Sequence, residues 1–137
     1  MSDQYVEWTE ELAVDNGLID SDHRQLIILI NRVYAAARGG ADQEHIGAIL
    51  CDLADYSSFH FNREERMMAM IAYNNKEAHI EQHNNFIESL SNLIAAFERG
   101  CSVSSEILDF VVTWFVLHIR VSDRDFGFHL RQFQRAC

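Results

Sequence analysis

The chain has 137 residues, of which 48% are hydrophobic and 23% charged, which predicts one globular domain with its own core. The formal net charge of −10, without a basic run, argues against nucleic-acid binding. No apolar run approaches the roughly 18 residues that span a bilayer, and the first residues do not resemble a signal peptide. The three cysteines form no CxxC pair, so we expect a cytoplasmic protein without membrane contact.

The chain contains no proline, and its six glycines fall mostly in candidate connections, which favours long helices over a turn-rich β fold. Residues 1–18 lack periodicity and are predicted to form an N-terminal arm. The first helix is predicted to begin near Asp20 or Ser21, either of which could cap it. Gly39 and Gly40 are predicted to end it.

The next helices follow the same periodic pattern, with apolar residues at steps of three and four. Asp42 is predicted to cap the second helix, which should end near residues 73–75. The third helix should stop at Gly100, and serines at 102, 104 and 105 could cap the fourth. Residues 124–137 are predicted to fold back as a short C-terminal helix or tail.

Four amphipathic helices joined by short links predict an all-α fold. The expected architecture is an antiparallel up-down-up-down four-helix bundle over residues 19–123. The N-terminal arm and the short C-terminal helix would complete a single domain.

Five of the seven histidines and two acidic residues lie on the predicted apolar faces. Residues four apart share one face of a helix, so His60 lies beside Glu64, and His79 lies beside His83. A lone inward histidine is usually a hydrogen-bonded core residue, but several buried polar groups facing one another need a common partner. The candidate metal ligands are His23, His60, Glu64, His79, His83, His118 and Asp123.

One pair in this set does not fit a regular helix. His118 and Asp123 are five residues apart, which on an α-helix turns the second side chain about 140° from the first. They can meet one site only if the helix widens into a π-type turn or ends between them. We therefore predict an irregular backbone over residues 118–123.

The donor set constrains the metal. Five imidazoles, two bridging carboxylates and a bridging oxide or hydroxide would nearly fill two octahedral ions and leave one position open. Structural zinc prefers four ligands in a closed tetrahedron, and calcium or magnesium sites do not use histidine in this way. We therefore interpret the set as a non-haem site for two iron ions.

The same arrays, in this order, resemble those of the hemerythrin family, in particular its bacterial members. The resemblance covers nearly the whole chain, at Trp8, residues 17–23, residues 59–65, residues 79–83 and residues 114–123. It implies that His79, His83 and His118 hold one iron, that His23 and His60 hold the other, and that Glu64 and Asp123 bridge them. It also implies that O2 binds at the iron with two histidines.

Five apolar side chains match positions near the O2 pocket of the family, although the same residues would also fill the core. They are Leu26, Phe61, Trp114, Phe115 and Ile119. An apolar wall there would limit the access of water and protons, and would slow the loss of bound oxygen as peroxide.

The ligand balance favours O2 binding over catalysis. Ferritin-like di-iron oxidases carry about four carboxylates, whereas this set has two and is rich in neutral imidazoles. No nucleophilic triad or phosphate-binding loop is present. We therefore expect an O2-binding protein for storage, delivery or scavenging rather than an enzyme, with a possible protein partner. The alternatives are an O2 or redox sensory module that signals to a partner, and a di-iron peroxidase or oxidase.

Overall fold

The computed structural model describes residues 4–136; the first three residues of the predicted arm, and Cys137 in the predicted tail, lie outside that range. Five α-helices make up most of this range, and it contains no β-strand. The helices are α1 (Leu18–Arg38), α2 (Gln43–Met70), α3 (Lys76–Glu98), α4 (Ser104–His118) and α5 (Arg124–Ala136). A 3₁₀ turn (Glu10–Leu12) precedes α1, and a π-helical turn (Ile119–Asp123) joins α4 to α5.

The four long helices form the predicted antiparallel bundle. Each packs against the helix that follows it in the chain, and α4 closes the ring by packing against α1. Short connections at residues 39–42, 71–75 and 99–103 force neighbouring helices to run in opposite directions. Fully buried aliphatic side chains such as Val33, Leu50, Leu90 and Ile107 fill the centre. The predicted fold class is thereby confirmed.

The start of α1 differs from the prediction. The helix begins at Leu18, and Asp15 rather than Asp20 or Ser21 binds its free backbone amides. Oδ1 of Asp15 accepts from the N–H groups of Gly17 and Asp20, and Oδ2 accepts from that of Ile19. Asp20 lies inside the first turn, where its carboxylate is free to turn back and bind the arm.

Other helix ends follow backbone geometry. Asp42 caps α2 as predicted, accepting from the amide of His45 at 2.8 Å. The helix ends at Met70, before residues 73–75, because Ala72 adopts a positive φ of 51°. The serines do not cap α4, which begins at Ser104 after Val103 without a side-chain hydrogen bond. The third helix, α3, ends at Glu98, close to the predicted Gly100. Gly100 adopts a φ of 94° in the connection that follows, which glycine does without strain.

The arm is bound to α1 and to α5. Its Val14 donates a backbone hydrogen bond to the buried Asp20 at 2.7 Å, and its carbonyl accepts from Arg131 of α5. Gly127 of α5 packs so closely that a β-carbon there would lie 2.6 Å from Cγ1 of Val14. Within residues 4–136, no helix is both long and apolar enough to cross a membrane.

Candidate metal centre

Four helices and the π-turn bring the seven predicted ligands together in the bundle core. All seven side chains are buried, and the most exposed residue, His118, has 5% of its surface accessible. They come from α1 (His23), α2 (His60 and Glu64), α3 (His79 and His83), the end of α4 (His118) and the end of the π-turn (Asp123).

The predicted irregular backbone is confirmed. Residues Ile119–Asp123 form a π-helical turn that continues directly from α4. The wider turn returns Asp123 to the face occupied by His118, and Nε2 of His118 lies 3.1 Å from Oδ1 of Asp123. A regular α-helix would have directed this carboxylate away from the other donors.

The donors form two overlapping groups. In each group the possible ligand atoms all lie within 4.8 Å of one another. Glu64 and Asp123 belong to both groups. The larger group adds His79, His83 and His118, and the smaller adds His23 and His60.

Asp123 divides its two oxygens between the groups. Oδ1 lies 3.0 Å from Nε2 of His79 and 3.1 Å from Nε2 of His118. Oδ2 lies 3.1 Å from Nε2 of His23 on the other side. One carboxylate thus faces both groups with different atoms, as a bridging ligand would.

Glu64 is arranged in the same way. Oε1 lies 2.8 Å from Nε2 of His79 and 3.2 Å from Nε2 of His83. Oε2 lies 3.5 Å from Nε2 of His60, one helical turn earlier on α2. The two carboxylates therefore share a bridging geometry although they come from different elements.

The outer nitrogens of three imidazoles are already bonded to acceptors. The pairs are His60 Nδ1 with Asp22 at 2.9 Å, His83 Nδ1 with Glu65 at 2.8 Å and His118 Nδ1 with Gln82 at 2.9 Å. Because a carboxylate or amide oxygen only accepts, each Nδ1 must carry the proton. The Nε2 atoms of these rings then present lone pairs to the centre, which is the form that binds metals.

Several atoms at the centre lack a hydrogen-bond partner. Both oxygens of Glu64, both oxygens of Asp123 and Nε2 of His79 are buried without one. Lone pairs facing lone pairs in a buried site are costly, and a cation between them would remove that cost. The mixture of imidazole and carboxylate donors fits transition-metal ions such as iron.

Burial lowers the pKa of two of the histidines, His60 and His83. It lowers the pKa of His83 to about 2, and the neighbouring His118 and His79 act in the same direction. Burial also lowers the pKa of His60, although its hydrogen bond to Asp22 opposes this shift. Both rings are therefore neutral at pH 7 and need not lose a proton before binding a metal.

The pKa values of the two carboxylates shift in opposite directions. Burial raises the pKa of Glu64 well above its usual value, and the nearby Asp123 adds to the shift. Burial would also raise the pKa of Asp123, but contacts with His118, His23 and His79 outweigh it and lower that pKa. Without a cation the centre thus holds one carboxylate charged and favours a proton on the other.

The hydrogen-bond partners of the imidazoles did not emerge from sequence analysis. Asp22 has two further contacts: its carboxylate accepts a hydrogen bond from Tyr56 at 3.1 Å and lies 3.5 Å from the guanidinium of Arg63. Burial opposes ionisation of Asp22, but its bond to His60 and the other contacts lower its pKa. The available signal was adjacency in the sequence, because Asp22, Glu65 and Gln82 each stand next to a predicted ligand.

Three of the five predicted pocket residues contact imidazoles of the site, and Phe61 contacts one ring of each group, His83 and His60. Phe61 stacks on His83 with ring centroids 3.9 Å apart, and the half-buried Trp114 stacks on His118 at 4.3 Å. Phe115 contacts His23 edge-on at 5.3 Å, on the side of the smaller group. Leu26 and Ile119 are also buried in the core. Their role in an O2 pocket stays a prediction.

Fold and donor set together define a class of protein: helical bundles that bind metal ions between their helices through imidazoles and carboxylates. Residues 15–127 match the hemerythrin HHE cation binding domain. The chain therefore belongs to the hemerythrin family, as its sequence motifs predicted. Members of this family bind a non-haem di-iron group.

Individual relatives match along most of their length. The chain is 32% identical to a bacteriohemerythrin of Clostridium acetobutylicum over 124 residues, covering 87% of this chain and 96% of the relative. It is 27% identical to myohemerythrin-1 of Phascolopsis gouldii, covering 85% of this chain and 87% of that protein. A crystal structure of wild-type hemerythrin is similar with a TM-score of 0.85 and 29% identity, covering 92% of this chain and 98% of the other.

Proposed function

We propose that this protein binds O2 reversibly at a di-iron centre, and that it stores, delivers or scavenges O2. The observation that carries the proposal is the shared position of Glu64 and Asp123, each of which turns one oxygen toward two imidazoles of the larger group and the other toward one imidazole of the smaller group. His79, His83 and His118 would hold one iron, and His23 and His60 the other. A reduced iron pair supplies the electrons that O2 accepts on binding.

The unequal groups give this chain one incomplete metal position. The group of His23 and His60 has one imidazole fewer than the other, which leaves room for a small exogenous ligand. The buried side chains of Leu26, Phe115 and Ile119 are proposed to exclude water from that side. Phe61 and Trp114 would instead hold the rings of His83 and His118 in place.

The residues of the site favour reversible O2 binding over catalytic turnover. Within residues 4–136 only two carboxylates face the centre, and the neutral imidazoles beside them would stabilise reduced ions that take up O2. Hemerythrins are mainly O2-binding proteins rather than enzymes. We extend that property to this chain and propose no catalytic residue.

A sensory role is the second candidate. Asp123 is followed at once by α5, and α5 holds the arm through Gly127 and Arg131. A structural change at the centre could therefore be transmitted through Asp123 to α5 and to the arm, where a protein partner could bind.

The test is anaerobic reconstitution with ferrous iron, followed by cycles of O2 addition and removal that are monitored by visible absorbance. We expect about two irons per chain and a visible charge-transfer band that appears with O2 and disappears on its removal. His23→Ala should abolish the band, whereas His45→Ala, at an exposed histidine of α2, should retain it. Irreversible oxidation on first exposure to air, with rapid peroxide turnover, would instead favour an oxidase or peroxidase.

A further inference from the structure

Gln82 links two elements of the centre from outside the ligand set. Its Oε1 lies 2.9 Å from Nδ1 of His118 and 2.7 Å from Oγ of Ser122. Gln82 belongs to α3, whereas His118 ends α4 and Ser122 lies within the π-turn. One amide oxygen on α3 therefore accepts hydrogen bonds from the residue just before the π-turn and from a residue near the end of the turn.

The π-turn needs such support. A π-helical turn is rare and usually persists only where surrounding contacts favour it. Here the turn determines whether His118 and Asp123 face the same centre. The bonds from His118 and Ser122 to Gln82 hold the beginning and the end of the turn against a neighbouring helix.

Gln82 also differs in charge from the comparable acceptors. His60 and His83 donate to the carboxylates of Asp22 and Glu65, whereas His118 donates to a neutral amide. A carboxylate increases the basicity of the imidazole that donates to it and so stabilises the more oxidised metal. A neutral amide leaves His118 a weaker electron donor.

We propose that Gln82 is a positioning residue with two effects: it holds the π-turn against α3, and it keeps the metal beside His118 easier to reduce. The second effect favours the ferrous state that O2 binding requires, and in that respect the inference rests on the proposed function. Gln82 contacts no metal itself and acts through His118 and Ser122.

The first experiment tests positioning by the rate at which loaded protein releases iron to a chelator. Gln82→Leu should release iron faster than the parent, because the loss of a comparable hydrogen-bond partner weakens metal affinity roughly tenfold or more. Ser122→Ala should release iron faster than the parent, and Ser122→Thr, which keeps the hydroxyl, should restore the parent rate. Circular dichroism of the metal-free variants checks that each retains its helices. Parent-like release from both Gln82→Leu and Ser122→Ala would overturn the positioning role.

The second experiment measures the midpoint potential of the diferric–diferrous couple without O2. Gln82→Glu is nearly isosteric and should shift the potential downward. Gln132→Glu adds the same charge at an exposed position of α5 and serves as the control. Glu65→Gln, the reciprocal change beside His83, should shift the potential upward. Equal potentials for Gln82→Glu and Gln132→Glu would overturn the electronic effect.

These readouts separate the inference from the proposed function. Iron release and the anaerobic potential are measured without O2, so they test Gln82 even if the loaded protein fails to bind O2 reversibly. Failure to retain two irons in the parent protein would overturn both proposals, whereas normal loading with unchanged Gln82 variants would overturn this one alone.

Discussion

Glu64 is fully buried, and its unsatisfied oxygens make it the residue at which the metal hypothesis is most directly tested. Glu64→Ala removes one bridge and leaves the imidazoles of both groups with fewer partners. We expect a large loss of bound iron after reconstitution, measured by metal analysis. Glu81→Ala, an exposed neighbour of the site on α3, should load normally. Full loading of Glu64→Ala with an unchanged spectrum would contradict the bridging assignment.

At this scale the sequence predicted which seven donor side chains lie together better than it predicted their hydrogen-bond partners. The i, i+4 spacing of His60 with Glu64 is fixed by helix geometry, so burial of one predicts burial of the other. The acceptor of each Nδ1 depends instead on ring rotation and on the neighbouring helix. For that reason Gln82, on α3, could not be assigned to His118, on α4, without coordinates.

At the scale of elements, the N-terminal cap of α1 provides a stability prediction. Asp15 accepts hydrogen bonds from three backbone amides at the start of this helix, whereas Asp42 accepts one at the start of α2. We expect Asp15→Ala to lower the free energy of unfolding by about 2 kcal/mol and Asp42→Ala by about 1 kcal/mol. Urea unfolding of the metal-free proteins measures both, and a smaller loss for Asp15→Ala than for Asp42→Ala would contradict the assignment.

Element boundaries show where periodicity stops being informative. The pattern of apolar residues located all four long helices, because each must bury one face. It favoured Asp20 or Ser21 as the cap of α1, because both have a suitable side chain, whereas Asp15 accepts the hydrogen bonds from the first amides. It also could not foresee that Ala72 would adopt a positive φ and end α2 early. The π-turn could be predicted only because His118 and Asp123 were both candidate ligands of one site, which a regular α-helix would not allow.

At the scale of the whole molecule, the buried ionisable groups predict how the metal-free protein responds to pH. Folding lowers the pKa of His60 and His83 from 6.5, so the unfolded chain binds more protons below that pH and stability falls as pH falls. Folding raises the pKa of Glu64 and that of Glu65 from 4.5, which opposes this dependence above pH 4.5. Between pH 4.5 and 6.5 the unfolded chain protonates His83 and the folded chain does not, so this histidine by itself makes stability rise with pH.

One proton bound by the unfolded chain alone corresponds to a slope of about 1.4 kcal/mol per pH unit, which is the upper bound of the His83 contribution. Urea unfolding across this range measures the slope. His83→Gln should flatten it by removing one titrating group, and His45→Ala should leave it unchanged. A slope that is unchanged in His83→Gln would contradict the assigned direction of the His83 shift.

The global fold was the most predictable level, because four amphipathic segments with short links admit few ways to bury their apolar faces. The arrangement of the arm was less accessible. Its contact with α5 depends on Gly127 leaving space for Val14, a complementarity between distant residues that periodicity does not report.

The shared position of Asp123 has a consequence for biosynthesis. In the proposed arrangement this carboxylate bridges both irons, and it is also the last of the seven ligands in chain order. A nascent polypeptide still on the ribosome with Asp123 inside the exit tunnel can offer neither ion its full complement of donors. Iron insertion is therefore expected to follow translation of nearly the entire domain, and a chain interrupted upstream of Asp123 should leave both ions incompletely held.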